Sequence, residues 1–314
     1  MATCLVTGGA GFIGSNLVRA LLDRGYAVRV LDDLSTGHRA NLDGVASRID
    51  FLEGSICDAG LVAAAMDGVT CCFHQAAVPS VPRSISDPVT TNRVNIEGSI
   101  HVFLAARNEG VRRVVYASSS SVYGNAETSP VHENLPTQPI SPYGVSKAAT
   151  EHYARVFSTL FGMDIVGLRY FNVFGPRQDP GSQYAAVIPI FINRMLRGER
   201  PPVHGNGRQS RDFSYIDNVV EANIRACEAK GAIAGVYNAA CGAETSILGI
   251  VALLNDIFGT KLEPLFEAAR KGDISRSCAD ITGALQAFGY KPQVTVGEGL
   301  KRTVDWYRKR GPSS

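Results

Sequence analysis

Short apolar runs alternate with segments of helical character along the first half of the chain. The runs lie at residues 3–7, 27–31, 49–54, 70–74, 111–116 and 164–168, and each has the length of a β-strand. Helices are predicted between them, over residues 15–24, 59–66 and 91–108 and from Tyr143 onward. Strands that alternate with helices in this way require a parallel sheet covered by helices on both faces. The pattern therefore predicts an α/β fold with a doubly wound parallel sheet.

The pattern changes after residue 170. Shorter segments mix with loops there, and one clear helix is predicted over residues 187–196. We therefore expect a first domain over residues 1–170 and a smaller C-terminal α/β domain formed mainly by residues 171–314. A segment near residues 212–242 is expected to return to the first domain.

Composition narrows the class of protein. Hydrophobic residues make up 45% of the chain and charged residues 19%, which is typical of globular proteins. The net charge of +2 comes without a basic cluster of the kind that nucleic acid or anionic lipid requires. The chain contains neither a run long enough to span a bilayer nor a leader pattern, so we expect a cytoplasmic protein. The seven cysteines are odd in number and lack Cys-x-x-Cys spacing, which favours free thiols over a disulfide framework or a metal site.

A glycine-rich segment follows the first predicted strand and opens the first predicted helix. Gly8 suits a tight turn, Gly11 allows close approach to a pyrophosphate, and Gly14 allows the helix to pack on the strand. The N-terminus of the helix then faces the phosphates. A glycine-rich turn without a ligand is the alternative, but the strand–turn–helix context favours a dinucleotide site.

The second predicted strand ends in Asp32 and Asp33, about twenty residues beyond the glycines. A carboxylate at this position accepts hydrogen bonds from a ribose 2′-hydroxyl and repels a 2′-phosphate. We therefore predict NAD rather than NADP as the cofactor, and interpret residues 1–170 as a Rossmann-type NAD-binding domain. The alternative is that Asp32 only begins the turn that follows.

Further polar residues lie where the predicted strands end. Serines 118–121 follow the fifth strand, and ligands bind at the carboxyl ends of such sheets, although a serine run by itself is usually a polar loop. His74 also ends a strand, and we interpret it as structural. Arg208, Arg211 and Arg270 could converge on one diphosphate, because guanidinium groups suit phosphate, but each alone is more simply a solvated arginine.

Tyr143 and Lys147 stand four residues apart and therefore share one face of the predicted helix. A free tyrosine has a pKa of about 10, and a nearby cation lowers it. Lowering this pKa by about three units requires roughly 4 kcal/mol, which a desolvated ammonium and a second positive charge could supply. Such pairs also occur on ordinary surface helices, so the pair needs the support of the other motifs.

Taken together, these motifs resemble the extended short-chain dehydrogenase/reductase family, in its NAD-dependent sugar-nucleotide epimerase branch. The resemblance covers nearly the whole chain and rests on residues 7–14, 118–124, 141–147, 168–176 and 210–213. Residues 177–180, 184–189 and 276–280 resemble bacterial UDP-N-acetylglucosamine 4-epimerases. The resemblance implies a UDP-sugar substrate and a tightly held NAD that is unchanged overall.

The resemblance also assigns roles to residues of this chain. It implies that Tyr143 is the base, that Lys147 is its electrostatic partner, and that Ser119 holds the sugar O4. The implied NAD contacts are Gly8, Gly11, Phe12, Ile13, Gly14, Asp32, Asp33, Ser35, Gly37, Ser55, Ile56, Gln75, Ala76, Ala77, Asn95, Lys147 and Tyr170. The implied substrate contacts are Ser80, Ser119, Ser120, Ser121, Tyr143, Asn172, Ala186, Val187, Arg211, Arg270, Asp273 and Ser277. Ser55 departs from the family pattern, since many relatives carry an aspartate near the adenine.

The implied reaction is C4 epimerisation through a 4-keto sugar. Ser277, where restricted relatives commonly carry tyrosine, favours UDP-GlcNAc and UDP-GalNAc, with UDP-glucose and UDP-galactose also accepted. A UDP-glucose 4-epimerase and a UDP-glucuronate epimerase are the alternatives. A 4,6-dehydratase needs an Asp-Glu pair where Ser120 and Ser121 stand, and a non-catalytic NAD-binding protein would not need the Ser119, Tyr143 and Lys147 set. Family members are usually homodimers, and the helices at residues 91–108 and 143–161 could form that interface.

Overall fold

A computed structural model of the protein describes residues 2–179, 186–269 and 276–310. Its strands are β1 (Thr3–Thr7), β2 (Ala27–Asp32), β3 (Ile49–Glu53), β4 (Cys71–His74), β5 (Arg113–Ser119), β6 (Ile165–Tyr170), β7 (Val173–Phe174), β8 (Pro202–His204), β9 (Ser210–Arg211), β10 (Ser214–Tyr215), β11 (Gly235–Ala239), β12 (Thr245–Ser246) and β13 (Leu265–Glu267). Its helices are α1 (Phe12–Asp23), α2 (Ala59–Met66), α3 (Val81–Ser86), α4 (Pro88–Asn92), α5 (Gly98–Asn108), α6 (Pro142–Phe161), α7 (Val187–Leu196), α8 (Ile216–Glu228), α9 (Ile247–Phe258), α10 (Thr282–Phe288) and α11 (Val296–Arg310).

Seven strands form one parallel sheet in the order β3-β2-β1-β4-β5-β6-β11. Alternate residues of each strand enter two separate cores. Cys4 and Val6 pack with α1 and α8 on one face, whereas Leu5 packs with α2, α5 and α6 on the other. Because both faces of β1 and β4 are buried, these central strands carry consecutive apolar residues, whereas the edge strand β3 carries exposed Asp50 and Glu53. The predicted doubly wound parallel α/β fold is confirmed.

The strand order reverses between β1 and β4, and this reversal positions the site. Ligands of open parallel sheets bind in the crevice outside the carboxyl ends of the strands at such a reversal. The glycine turn after β1 and the segment after β4 lie at this point. The predicted cofactor contacts in these two segments therefore lie at the crevice.

The later part of the chain divides between the sheet and a smaller unit. Strand β11 extends the sheet beside β6, and α8 packs against α1. The smaller unit contains the two-stranded pairs β8–β13 and β9–β12 together with α7, α9 and α11. Within the described ranges, no helix is both long and apolar enough to cross a membrane.

Two elements differ from the sequence prediction. The single helix predicted over residues 91–108 is interrupted by a π-helical turn at Arg93–Glu97. There the Asn95 carbonyl accepts hydrogen bonds from the Ser99 hydroxyl one turn further on and from the Thr150 hydroxyl of α6. Strand β5 also runs on to Ser119, because the end of β6 pairs with it in register.

Candidate active site

The N-terminus of α6 presents the tyrosine–lysine pair to the end of the sheet. Ser141 caps the helix by accepting a hydrogen bond from its first turn, and a proline follows directly, which is favourable at this position. The backbone N–H of Tyr143 donates to the Ser84 hydroxyl at 3.0 Å. Lys147 lies one turn further on and is buried. Capping and packing thus fix where the helix starts and which way both side chains face.

Tyr143, Lys147 and Ser119 meet at the carboxyl end of β5. The Ser119 side chain lies close enough to the Tyr143 phenol to lower its pKa. The Lys147 ammonium donates to the Ala117 carbonyl oxygen at 2.8 Å and lies 5.8 Å from the centre of the Tyr143 ring. The structure therefore brings all three predicted catalytic side chains together.

The pKa of Tyr143 does not fall as the nearby Lys147 alone would lead us to expect. Burial raises the pKa of Tyr143, and the nearby Ser119 side chain only partly offsets this rise. Burial also lowers the pKa of Lys147 to about 8, while the charge of Glu151 acts in the opposite direction. The protein alone therefore holds Tyr143 as a phenol near neutral pH, because desolvation penalises its charged form. A second positive charge beside the phenol is needed, as the energy estimate from the sequence indicated.

The neighbouring serines have distinct positions. Ser119 is the last residue of β5 and accepts a hydrogen bond from the Ser121 backbone N–H at 3.1 Å. Ser120 and Ser121 begin a single 3₁₀ turn. Ser80 caps α3 by accepting from the Arg83 N–H at 3.2 Å. Its hydroxyl keeps its own proton free to donate, so the substrate contact that the resemblance implies stays a prediction.

The glycine turn fits a dinucleotide pyrophosphate. Gly8 has φ +68°, a left-handed conformation that favours glycine. A Cβ at Gly14 would lie 2.1 Å from the Gly8 carbonyl oxygen, so only glycine permits the close packing of turn and helix. Gly11 is the N-cap of α1, and no side chain of the described residues caps this helix. The backbone N–H groups at Phe12 and Ile13 begin the helix and can receive an anion.

Asp32 lies at the end of β2 beside this turn. Its carboxylate accepts hydrogen bonds from the N–H of Ala10 at 2.9 Å and of Leu34 at 2.8 Å. Burial raises its pKa. A carboxylate has about four lone-pair sites, so it can also accept from ribose hydroxyls. Asp32 therefore both anchors the glycine turn and presents acceptor capacity to the crevice.

The other predicted NAD contacts near Asp32 bond to or pack against neighbouring protein groups. Asp33 accepts from the backbone N–H and the hydroxyl of Ser35. A Cβ at Gly37 would lie 2.9 Å from Asp32 Oδ1, so the chain passes close to that carboxylate. The Ser55 hydroxyl accepts from a backbone N–H two residues later, and the Ile56 carbonyl accepts from a histidine ring. These groups shape the wall of the crevice.

A polar network links the segment after β4, the end of β6 and helix α8. The Tyr170 hydroxyl lies 3.1 Å from Gln75 Oε1 and within 3.0 Å of the Asn223 amide, and Gln75 donates to the same amide at 3.1 Å. The Ala76 N–H donates to a β1 threonine hydroxyl, which holds the segment with Ala77 against the glycine turn. Asn223, on α8, was not predicted from the sequence, because nothing local distinguishes it.

Asn95 and His74 hold the protein together around the site. The Asn95 side chain bonds both backbone groups of Val78 and donates to the Ser146 hydroxyl at 2.9 Å. His74 lies between the hydroxyls of Thr7 and Ser99, and burial lowers its pKa to about 3. The structure is thus consistent with a structural His74. It places Asn95 inward, as expected, with its side chain engaged by protein groups.

A cavity of about 180 Å³ opens in the smaller unit. Three predicted substrate contacts, Asn172, Val187 and Arg211, line it together with aromatic and aliphatic side chains. Asn172 has φ +37° and donates to a backbone carbonyl at 3.0 Å, so its unusual conformation is held by the neighbouring segment. Ala186 is the N-cap of α7 and precedes Val187. A planar base with a polar edge would suit such a cavity.

The segment that carries Ser277 runs beside this cavity. The Ser277 N–H donates to the Ser210 carbonyl at 3.2 Å, and its carbonyl accepts from the Asp212 N–H at 2.7 Å. These two bonds flank Arg211, so Ser277 is placed directly alongside it. Asp212 is fully buried, accepts from three backbone N–H groups, and has its pKa raised by burial to about 6.

The sequence also names Arg208, Arg270 and Asp273 as phosphate or substrate contacts. Arg270 and Asp273 lie outside the described residues. Arg208 is exposed in a turn, and it does not line the described cavity.

The sequence interpretation missed a buried carboxylate next to the catalytic pair. Glu151 is one further turn along α6 from Lys147 and is bound by Arg169 of β6. The same helical spacing that links Tyr143 to Lys147 could have identified it.

Comparison with known proteins gives a consistent result. Residues 4–240 match the model of the NAD dependent epimerase/dehydratase family. The chain is 40% identical over 315 residues to a UDP-glucose 4-epimerase of Mycolicibacterium smegmatis, with 98% of each chain covered.

Two solved structures are similar along the whole chain. One is a UDP-glucose 4-epimerase of Thermotoga maritima with UDP-glucose, at 39% identity and a TM-score of 0.93, covering 98% of this chain and 99% of that one. The other is a UDP-N-acetylglucosamine 4-epimerase of Methanobrevibacter ruminantium in complex with UDP-N-acetylmuramic acid. Its identity is 38% and its TM-score 0.95, with 99% of each chain covered.

Proposed function

Because the chain belongs to the NAD dependent epimerase/dehydratase family, we propose that it is a UDP-sugar 4-epimerase acting through a 4-keto intermediate. The observation that carries this proposal is the meeting of Ser119, Tyr143 and Lys147 at the end of β5. A protein that only bound NAD would not need a phenol, an ammonium and a hydroxyl arranged around one point.

The residues have separate roles in the proposed reaction. The Ser119 hydroxyl hydrogen-bonds the sugar O4, and the Tyr143 oxygen takes the proton of the C4 hydroxyl. Lys147, fixed to the end of β5, holds a positive charge close to the phenol and favours its deprotonated form. NAD, when bound, supplies the hydride acceptor and a second positive charge.

Epimerisation further requires that the keto sugar turn over within the site. The cavity lined by Asn172, Val187 and Arg211 supports anchoring of the uridine diphosphate while the sugar rotates about its link. The proton returns from Tyr143 to the oxygen of the inverted sugar. The protein therefore contributes positioning and charge, and no net oxidation occurs.

The preferred sugar pair is proposed from the small side chain of Ser277. A serine beside Arg211 leaves space that a tyrosine would fill, so we expect UDP-GlcNAc and UDP-GalNAc as the preferred pair and UDP-glucose and UDP-galactose as additional substrates. The similar structures include both a UDP-N-acetylglucosamine and a UDP-glucose 4-epimerase, so the choice depends on Ser277. A 4,6-dehydratase is disfavoured, because Ser120 and Ser121 lack the paired acid and base that elimination requires.

The decisive experiment is incubation of the purified protein with a panel of UDP-hexoses, including UDP-glucuronate, and determination of the C4 configuration by NMR. We expect interconversion of the acetylated pair without loss of water. Absence of C4 inversion on every sugar, or formation of a 4-keto-6-deoxy product, would contradict the proposal.

A homodimer is also proposed, built on the outer face of α6. Val145, Tyr153, Val156 and Leu160 are exposed there by 42–68%, on the side of the helix away from Lys147. Ile85 on α3 and Val89 on α4, two helices that pack against α6, are also exposed. Exposed apolar side chains of this kind favour association, and a second copy presents the same residues.

A further inference from the structure

The carboxyl end of β5 is held by side chains from one face of α6. Three consecutive residues of β5 each contact one of three residues spaced a helical turn apart. The contacts pair Ala117 with Lys147, Ser118 with Glu151, and Ser119 with Tyr143. The Ser118 hydroxyl donates to Glu151 Oε1 at 2.5 Å. Glu151 therefore belongs to the same set of contacts that arranges the proposed catalytic residues.

The Glu151 carboxylate is itself rigidly bound. Arg169 donates to its two oxygens at 2.9 and 2.7 Å in a bidentate pair. Glu151 is only 8% exposed and Arg169 only 3%. Arg169 is also the register partner of Ser118 across β5 and β6. One carboxylate thus joins α6, β5 and β6 directly behind the site.

Stability alone does not explain this arrangement. The opposite end of the same two strands carries another buried ion pair, in which Arg113 donates to Asp164 at 2.7 Å. Replacing a buried ion pair by apolar residues is often neutral or stabilising, so such a pair is weak evidence of a stabilising role. What distinguishes the pair behind the site is its link to Ser118 and its position one turn from Lys147.

We propose that Glu151 is a positioning residue for the reaction. Its carboxylate, held by Arg169, fixes Ser118 and hence the placement of Ser119 and Lys147 around Tyr143. Its negative charge also favours the ammonium form of Lys147. This inference rests on the proposed function, and it adds a residue that touches neither the sugar nor the cofactor.

The charges around Lys147 support the electrostatic part. Burial lowers the pKa of Lys147 to about 8, and the charge of Glu151 raises it. His74 of β4 faces Lys147 and stays neutral, because burial lowers its pKa to about 3.

The remaining titratable groups come from β5 and β6. Tyr116 faces Glu151 and Tyr170 faces Tyr143, and burial raises the pKa of both tyrosines. Arg169 is bound to the Glu151 carboxylate. Glu151 therefore supplies the negative charge that keeps Lys147 protonated.

The test compares Glu151→Gln with Asp164→Asn in the NAD-loaded protein. Both changes remove one carboxylate from a buried pair on the same strands, and both are expected to lower the melting temperature. Only Glu151→Gln should lower kcat, by at least roughly tenfold, with KM little changed, because the reacting groups are displaced. It should also move the alkaline limb of the kcat–pH profile to lower pH, since Lys147 loses its proton more readily.

A readout independent of turnover is the titration of Lys147, followed by nitrogen-15 NMR of lysine-labelled protein. The midpoint should fall in Glu151→Gln and stay unchanged in Asp164→Asn. The inference is overturned if the two variants behave alike, or if Glu151→Gln keeps the wild-type midpoint and pH profile. If the wild-type protein turns over no UDP-sugar, the proposed function is wrong. The NMR titration would still show whether Glu151 raises the pKa of Lys147.

Ser118→Ala is the second test of the positioning role if Glu151→Gln does not fold. It removes only the hydroxyl between Glu151 and β5 and leaves the charge in place. It should lower kcat without moving the alkaline limb. A wild-type kcat in this variant would refute the positioning role.

Discussion

Lys147 is bonded to the Ala117 carbonyl at 2.8 Å, not to the phenol of Tyr143. The ammonium is therefore positioned by the sheet, and its distance to the tyrosine is set by the packing of α6 on β5. Because it is buried, its charge is poorly screened and acts on the phenol at a distance of several ångströms. The geometry of the proposed catalytic pair thus depends on helix placement as much as on helical spacing.

Tyr143→Phe should remove nearly all epimerase activity. General-base catalysis contributes about 10²–10⁴-fold, so kcat should fall by at least that order. Ser119→Ala should cost less, because it removes one hydrogen bond and leaves the base. NAD content and melting temperature, measured on the same preparations, should stay near wild type. Near-normal turnover by Tyr143→Phe would require the mechanism to be abandoned.

The purified protein should release NAD(H) on denaturation, identified by chromatography and mass spectrometry. Asp32→Ala should reduce both retained NAD and melting temperature, since this carboxylate also binds the N–H groups of Ala10 and Leu34. Asp23→Ala is the control, because Asp23 lies at the far end of α1 and its carboxylate is exposed near Arg48. NADP(H) as the main species would show that the interpretation of Asp32 is wrong.

Ser277→Tyr should separate the two sugar pairs. Overpacking a tight site costs about 1–3 kcal/mol, enough to lower turnover of UDP-GlcNAc at least roughly tenfold. UDP-glucose, which lacks the acetamido group, should retain its kcat/KM. Ser277→Ala is the control and should leave both pairs active. Equal loss on both pairs, or none on either, would remove Ser277 as the selecting residue.

His74 should make the protein sensitive to acid. Its folded-state pKa of about 3 lies below the ordinary value of 6.5, so the unfolded chain binds the extra proton between these values. Stability should therefore fall as pH drops below 6.5, by about 2 kcal/mol from this group at pH 5.

Urea unfolding at pH 5 and at pH 8 measures this effect in wild type and in His74→Gln. At pH 8 the group is neutral in both states, which provides the reference. The variant should lose less stability between the two pH values. An identical pH dependence in both proteins would contradict the prediction.

Leu160→Glu should convert a dimer into single chains. A carboxylate within an apolar interface is costly to bury, so the association should weaken strongly. Leu285→Glu on α10 is the control, since Leu285 is also partly exposed but lies off the α6 face. Size-exclusion chromatography coupled to light scattering measures the molar mass of each protein. A monomeric wild type, or a dimeric Leu160→Glu, would reject the interface.

Much of the fold and part of the site could be predicted locally. The alternation of strands and helices, the glycine turn and the spacing of Tyr143 and Lys147 all depend on residues close in sequence. Hydrophobic periodicity and backbone sterics act over such short ranges, so they are visible in the chain itself. The strand–helix alternation was sufficient to predict the parallel sheet.

Other features were decided by tertiary structure alone. Glu151 with Arg169, and Gln75 with Tyr170 and Asn223, join residues that are distant in sequence, and local periodicity carries no information about such partners. At the π-helical turn, the Asn95 carbonyl also accepts from the Thr150 hydroxyl of α6, a contact between elements distant in sequence. The raised pKa of Tyr143 also depends on burial, which exists only when the elements pack. The sequence by itself determined the reactive groups, whereas packing decided their charge states and the contacts that position them.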